Sequence, residues 1–369
     1  MEMNGTQRAA AHSTITSNNH ADEIIGAEIS NKSRPFNQFD IVHGCSDHHY
    51  AKLHKPSRWA KEWNKKIQQE WTVLSKNLPD SIFVRVYEER MDLMRAVIVG
   101  ATGTPYHDGL FFFDICFPFD YPRRPPNVYY RSRGLKLNPN LYANGTVCLS
   151  LLNTSHGRKS ELWDPSKSTM LQVLVSIQGL VLNTNPLFNE PSYAKMAGKR
   201  SGEKKSSTYN KKVFMLSCKS MLYTIERPPM HFKEFVTAHF RDRAIAILDA
   251  CKCHIEGGMG GGEGVDDKNF KAHLSLIFPR FLGAFSKMGA DCRRFRMKEA
   301  VAGSLSGPKV DQSIEKEAEA GAPSVGGPKV DKAKAKGAGG KSWKSFLGFG
   351  KSWKVWIESL GICHKPNAS

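Results

Sequence analysis

Four short apolar segments follow one another between residues 81 and 132, and they restrict the possible folds more than any other feature of the sequence. In the first segment apolar residues alternate from Ile82 to Val86, which is the period of a half-buried strand. Gly103 and the Asp-Gly pair at Asp108 supply turns between the segments. Because these connections are too short for parallel crossovers, the sequence predicts a four-stranded antiparallel meander. The segments read SIFVRVYEE, LMRAVIVG, LFFFDICF and NVYYRS.

Helical periodicity flanks the predicted strands on both sides. Before them, apolar residues at three- and four-residue steps predict a helix from Ser57, a candidate N-cap, to Pro79. After them, the segment STMLQVLVSIQGLVL returns to helical spacing, and two more helical stretches cover about residues 193–225 and 231–254. A helix, a meander and further helices predict an α+β fold. The apolar face of the first helix consists of Trp59, Trp63, Ile67, Trp71 and Leu74.

Composition divides the chain into four regions. Residues 1–56 are rich in Asn, Ser, Ala and His and predict a disordered leader, whereas residues 57–255 contain the periodic segments and predict the folded domain. Residues 256–300 begin with a Gly-rich linker and include a possible helix, broken near Pro279. Residues 301–369 predict a low-complexity basic tail.

Charge and cysteine content limit the partners and the compartment. The net charge of +18 favours anionic partners, whether nucleic acid, membrane or an acidic protein surface. Eight scattered cysteines without a signal-peptide-like segment indicate reduced thiols, and hence a cytoplasmic or nuclear location, or both. No apolar run reaches the roughly 18 residues that a membrane-spanning helix needs, so no span is predicted.

Several segments, in this order, resemble a known domain. GTPYHDGLFFFDICFPFDYPRRPPNVYY is followed by NPNLYANGTVCLSLL, by Trp163-Asp164-Pro165, and by a helix that ends in NTNPLFNEPSY. Together they resemble the ubiquitin-conjugating (UBC) domain over about residues 58–254. The resemblance implies the α+β UBC fold, with an N-terminal helix, a four-stranded antiparallel meander and C-terminal helices, here between disordered tails.

The same resemblance implies a function. A ubiquitin-conjugating enzyme accepts ubiquitin from an activating enzyme as a cysteine thioester and transfers it to a lysine of a substrate protein, in partnership with a ubiquitin ligase. It holds no cofactor, and ATP is used by the upstream activating enzyme. The alternative is a catalytically weak ubiquitin-binding scaffold, tethered by its basic tail to a membrane or to nucleic acid. Cys148 favours the enzyme, because family members without activity typically lack this cysteine.

The resemblance assigns the catalytic residues. Cys148 lies eight residues after Asn140, which is the family's interval between the nucleophile and the asparagine of its His-Pro-Asn triplet. Asn140 would donate to the oxyanion, or would tie the loop to its own backbone, as Asn commonly does in turns. Asn138 replaces the histidine and precedes Pro139, as in the large hybrid conjugating-and-ligating enzymes and their plant relatives. Since that histidine is mainly structural, Asn138 bears on the rigidity of the loop.

Three further predictions concern the surroundings of the thiol. Cys148 has apolar neighbours and no nearby cation in sequence, which predicts a modest nucleophile. Glu190 would activate the incoming lysine, or would be a carboxylate at a helix end that faces water. The insertion NTSHGRKSEL carries His156, Arg158 and Lys159 close to the thiol, where it would steer the ubiquitin tail or an acceptor, or would be a solvated loop.

Partner surfaces follow from the same resemblance. In the family, ligases contact the first helix and two loops, which correspond here to Lys61 and Lys65, to the loop around Phe119, and to the loop of Trp163 and Pro165. For Phe119 the alternative is ordinary packing beside the prolines of its loop.

Two weaker patterns complete the sequence. Cys251, Cys253 and His254, with Cys292 downstream, do not have the spacing of paired zinc knuckles, so no metal site is predicted. Residues 341–361 interleave lysines with aromatic residues, which fits an anionic membrane, nucleic acid, a partner helix or a loosely ordered tail.

Overall fold

The computed structural model describes residues 36–54, 60–257 and 265–295, with side chains from residue 267 onward in the last range. From Asn37 onward these residues belong to one compact unit. Five strands form one sheet in chain order. They are β1 Phe39–Val42, β2 Ile82–Tyr87, β3 Arg90–Val99, β4 Leu110–Cys116 and β5 Asn127–Tyr130. The predicted meander is confirmed, because β2 to β5 are antiparallel in sequence order.

Strand β1 lies within the predicted leader and pairs in parallel with β2, with Phe39 opposite Val84. The prediction of disorder up to residue 56 is therefore wrong for residues 37–54. Residues 1–35, and the predicted tail after residue 295, lie outside the described residues. The sheet thus has one strand more than the sequence predicted.

Polar contacts hold the segment that follows β1 against the sheet. Such contacts produce no apolar periodicity in the sequence. The buried Arg95 guanidinium donates to the Asp47 carboxylate at 2.7 Å and to the Asp114 carboxylate at 2.6 Å. A ring nitrogen of His48 lies 3.0 Å from the carbonyl oxygen of Met94. Buried charges are stable only when they are paired, so this cluster clamps residues 44–50 onto β3 and β4.

The described residues form six α-helices in addition to the sheet. Helix α1 begins at Lys61, while Ser57, the candidate N-cap, lies outside the described residues. Thr169 and Gln172 form a capping box at the start of α2, which continues into one wider turn, Ile177–Val181. The bounds are α1 Lys61–Asn77, α2 Met170–Ser176, α3 Pro191–Ala194, α4 Arg200–Glu226, α5 Lys233–Glu256 and α6 Val265–Lys287.

The main core lies between one face of the sheet and helices α1 and α2. Trp63, Ile67 and Leu74 of α1 are buried against side chains such as Val84 and Phe113. Each such residue contributes about 1.5–3 kcal/mol to the stability of the fold through burial. This packing confirms the helical period predicted for α1.

The opposite face of the sheet is covered by the start of α5. The Phe232 and Phe112 rings have centroids 5.2 Å apart, and those of Phe235 and Phe83 are 4.3 Å apart. Helix α6 packs on α4 and α5, and it continues through Pro279, so the predicted break at this proline is wrong. Its apolar residues are buried on both sides of the proline, which compensates for the lost hydrogen bond.

Helix α4 begins at Arg200, later than the predicted residue 193. The short helix α3 precedes it, and Gly198, with a φ of +76°, separates the two. Glycine readily adopts this left-handed conformation, which ends a helix. No helix within the described ranges is both long and apolar enough to cross a bilayer.

Candidate active site

Cys148 lies on one arm of a tight hairpin between β5 and α2. Its backbone N–H donates to the Asn140 carbonyl oxygen at 2.9 Å, and the hairpin turns at Asn144 and Gly145. The residues on either side of Cys148 are buried, whereas Cys148 is half-buried. Because side chains alternate along an extended chain, the thiol points away from the core to which its neighbours contribute.

Gly145 makes this hairpin possible. Its φ is +87°, and a Cβ added there would lie 2.0 Å from the ring of Tyr129. Only glycine fits both the backbone conformation and the space. The Asn-Gly pair is a strong hairpin signal, so the hairpin could have been predicted from the sequence.

Asn138, the first residue of the triplet, is fully buried and joins four parts of the fold. Its Nδ2 donates to the Tyr106 hydroxyl and to the Val181 carbonyl oxygen, both at 2.7 Å. Its Oδ1 accepts the N–H of Asn140 at 2.7 Å and a longer bond, 3.4 Å, from Asn189. Asn138 therefore anchors the active-site loop.

Asn140 ties the loop to its own backbone, as the structural alternative predicted. Its Nδ2 donates to the Cys148 carbonyl oxygen at 2.9 Å, while its Oδ1 is buried without a partner among the described residues. Pro139 connects the two asparagines. The oxyanion role of Asn140 stays a prediction.

Tyr142 is the site residue that the sequence interpretation missed. Its side chain is 39% exposed, and the Lys136 ammonium lies 5.1 Å from the centre of its ring. The pKa of Tyr142 is raised by the charge of an ionised Cys148, by burial, by its side-chain interaction with Cys148 and by the charge of Glu190. Tyr142 therefore lies beside the thiol, and Lys136 brings a cation to the Tyr142 ring.

Glu190 is exposed and lies immediately before α3, rather than at the end of α2. It follows Asn189, whose amide donates to Asn138 of the active-site loop at 3.4 Å. The charge of Glu190 also contributes, after burial, to a Tyr209 pKa raised to about 12. Glu190 is thus close enough to the site to interact with it, and its action on an incoming lysine stays a prediction.

The insertion after Cys148 folds into a compact loop at its base and is exposed at its tip. Asn153 has a left-handed backbone conformation, and its Oδ1 accepts the Trp163 N–H at 3.3 Å. The side chains of His156, Arg158 and Lys159 are exposed. The role of these cations in steering a partner stays a prediction.

The predicted partner residues do not all lie at the surface. Lys61, Lys65 and Pro165 are exposed. Phe119 is 71% exposed, so the prolines of its loop do not bury it. Trp163 is only 7% exposed, and its indole N–H donates to the Pro122 carbonyl oxygen at 2.7 Å. Its position does not suit a direct partner contact; it supports the loop that carries Pro165.

The cysteines that raised the question of zinc are separated. The Cys251 sulfur lies 3.9 Å from that of Cys218 inside the fold, whereas Cys253 is exposed. Within the part of the chain that the structure describes, no three His, Cys, Asp or Glu side chains are grouped closely enough to hold a metal ion.

Comparisons with known proteins place the site in a family. A family model described as ubiquitin-conjugating enzyme matches residues 66–217. Ubiquitin-conjugating enzyme E2 38 of Arabidopsis thaliana is 51% identical over 269 residues, which are 69% of this chain and 82% of that relative. The chain belongs to the ubiquitin-conjugating enzyme family. The resemblance inferred from the sequence is confirmed.

Other family members are much longer than this chain. Ubiquitin-conjugating enzyme E2 24 of Arabidopsis thaliana is 50% identical over 275 residues, which are 72% of this chain and 30% of that relative. The human dual E2 ubiquitin-conjugating enzyme/E3 ubiquitin-protein ligase BIRC6 is 43% identical over 196 residues, which are 51% of this chain and 4% of that protein. The chain thus spans less than a third of the length of these two relatives.

Proposed function

We propose that this chain accepts ubiquitin from an activating enzyme as a thioester on Cys148 and transfers it to a substrate lysine. The observation that carries the proposal is the hairpin around Gly145, which turns the Cys148 thiol away from the core while Asn140 and Asn138 hold its backbone. Family membership supports the same function.

Loading is an exchange of one thioester for another. The Cys148 thiolate attacks the carbonyl carbon of the thioester on the activating enzyme, a new sulfur–carbon bond forms, and the enzyme's thiolate leaves. No bound cofactor takes part, and ATP is consumed upstream. Tyr142, which interacts with the Cys148 side chain, lies beside the attacking sulfur.

Transfer reverses the role of the sulfur. The lysine amine attacks the thioester carbon, negative charge develops on the carbonyl oxygen, and the Cys148 thiolate leaves as the amide forms. Asn140 has a second amide hydrogen that is not used by the Cys148 carbonyl, and this donor would stabilise the oxyanion. Glu190 would take the proton that the lysine loses.

Partner contacts follow the exposed residues. We assign ligase binding to Lys61 and Lys65 of α1, Phe119, and the exposed Pro165 above Trp163, all within a cytoplasmic or nuclear protein. The exposed insertion cations would steer the carboxy-terminal tail of ubiquitin or the acceptor. A tether of the basic tail to an anionic membrane or nucleic acid belongs to the same proposal.

A loading assay tests the function. The protein and Cys148→Ser are incubated with activating enzyme, ATP and ubiquitin and separated on non-reducing gels. We expect a thiol-sensitive adduct on the wild type, and a thiol-resistant ester or no adduct on Cys148→Ser. No adduct with ubiquitin or related modifiers would contradict the enzyme and favour the ubiquitin-binding scaffold.

A further inference from the structure

The start of helix α4 lies next to the active site. Asn189, in the turn before α3, donates to Asn138 of the active-site loop at 3.4 Å. Ser206 of α4 donates to Asn185 of the same turn at 3.0 Å. The 183–189 turn therefore connects the loop that holds the nucleophile to the first two turns of α4.

Six exposed cations crowd this region, and we call them the α4 basic surface. Only two carboxylates, Glu190 and Glu203, lie between residues 190 and 212, and Glu203 accepts the N–H of Gly198 at 3.0 Å. Within the described part of the chain, none of the six cations forms an ion pair with a carboxylate. The α4 basic surface consists of Lys195, Lys199, Arg200, Lys204, Lys205 and Lys212.

These cations are unfavourable for the helix that carries them. The N-terminus of a helix has a partial positive charge and favours Asp or Glu. Helix α4 has one such residue, Glu203, in its first turn, but it begins with Arg200 and places Lys204 and Lys205 directly after Glu203. Arg200 and Lys204 are also four residues apart, so that two like charges face each other. A sequence that keeps locally unfavourable residues commonly does so for function.

Lys211, in the same region, differs from the six cations because it has a carboxylate partner. Lys211 is partly buried and donates to the Asp267 carboxylate of α6 at 2.7 Å. This ion pair between two helices accounts for a lysine at position 211. In the α4 basic surface Lys205 lies 5.7 Å from the centre of the Tyr193 ring, but no member has a carboxylate partner among the described residues. Five of its members lie between residues 195 and 205, and screening in physiological salt acts over about 8 Å, so the fields of neighbouring members add, whereas Lys212 lies farther along the helix.

We propose that the α4 basic surface binds a carboxylate-rich segment of the acceptor protein and so directs ubiquitin to lysines with acidic neighbours. This proposal rests on the proposed function, since it names the acceptor class of the same site. The positive surface attracts the acidic segment, and its continuity with the 183–189 turn brings the adjoining lysine to the Cys148 thioester. Complementary charge of this kind raises the encounter rate and selects the partner.

The experiment measures single-turnover discharge of the ubiquitin thioester. Two peptides carry one lysine each, flanked by three aspartates on both sides or by asparagines at the same positions, and each rate is divided by the same variant's rate with free lysine. Each exposed ion pair changes the rate a few-fold, so we expect the aspartate peptide to react roughly tenfold faster in low salt, with the advantage falling as salt rises.

Two charge-matched variants assign the effect. Lys199→Glu/Arg200→Glu/Lys204→Glu should lose the preference, whereas Lys76→Glu/Lys233→Glu/Lys287→Glu, with the same change in charge on other helices, should keep it. The first variant gains favourable acidic residues at the helix start but places like charges near Glu203, so its melting temperature is measured and should stay close to that of the wild type. This measurement excludes loss of fold as the cause.

Three results would overturn the proposal. They are equal rates for the two peptides in the wild type, a preference that survives in the α4 variant, and binding to phosphatidylserine vesicles through the same residues without any peptide preference. If no thioester forms, the proposed function fails on its own. The surface is then tested by fluorescence anisotropy of the labelled aspartate peptide, where equal affinity for the wild type and the α4 variant would refute it.

Discussion

Replacing Asn138 with alanine tests how the active-site loop is held. The substitution removes the hydrogen bonds to Tyr106, Val181 and Asn140 at once. The Val181 carbonyl keeps a bond from Asn189 at 3.2 Å, but the N–H of Asn140 loses its acceptor. A buried polar group without a partner costs about 1–3 kcal/mol. We therefore expect the free energy of unfolding to fall by about 2–3 kcal/mol.

Urea unfolding measures this loss, and amide exchange of the Cys148 N–H reports on the hairpin itself. Asn144→Ala is the matched control, because its exposed side chain accepts only the Thr146 N–H at 3.0 Å, and its loss should cost about 1 kcal/mol or less. Asn138→Ala should accelerate exchange at Cys148 and slow ubiquitin loading. Equal costs for the two variants, with unchanged exchange at Cys148, would refute the anchoring role of Asn138.

Three further perturbations follow from the structure. Gly145→Ala places a methyl group against the Tyr129 ring and strains the backbone, so thermal unfolding should show a loss of about 2 kcal/mol or more, and an unchanged melting temperature would contradict the fit at this turn. The Asp114 pKa is lowered to about 2, because the hydrogen bond and charge of Arg95 outweigh burial. A carboxyl whose pKa is lowered by folding stabilises the fold at pH values above its ordinary pKa, and this stabilisation is lost as the pH falls through the lowered pKa. Acid titration between about pH 4 and pH 2 should therefore lower the free energy of unfolding by about 2 kcal/mol in the wild type but not in Asp114→Asn. Glu190→Gln should slow discharge to free lysine by about a hundredfold while loading is unchanged, and an unchanged discharge rate would leave Glu190 a solvent-facing carboxylate.

The sequence predicted those parts of the fold that apolar periodicity specifies. Alternation gave the meander, and three- and four-residue steps gave the buried face of α1. The segment at residues 44–50 escaped prediction because it is held by charges, Asp47 against Arg95, whose partners lie far apart in the chain. The break expected at Pro279 did not occur because packing on α4 and α5 outweighs one missing hydrogen bond.

The sequence predicted most residues of the candidate site but less of their geometry. The interval from Asn140 to Cys148 identified both residues, and the hairpin brings them together. Tyr142 was missed because its contact with the thiol depends on the register of the hairpin, and the burial of Trp163 depends on Pro122, forty-one residues earlier. Such distant contacts have no local sequence signal.

The ion pair between Asp47 and Arg95 also determines where a recombinant fragment can begin. A fragment that starts at residue 66, where the family match begins, would lack Asp47 and the edge strand β1, and would leave Arg95 and Asp114 with fewer partners. Because Arg95 keeps Asp114 as a partner, the loss of Asp47 costs about 1–3 kcal/mol, which is still a sizeable share of a typical domain's stability. Recombinant fragments for crystallisation or biochemistry should therefore begin before Asn37, because the smallest unit that folds is larger than the smallest unit that the family shares.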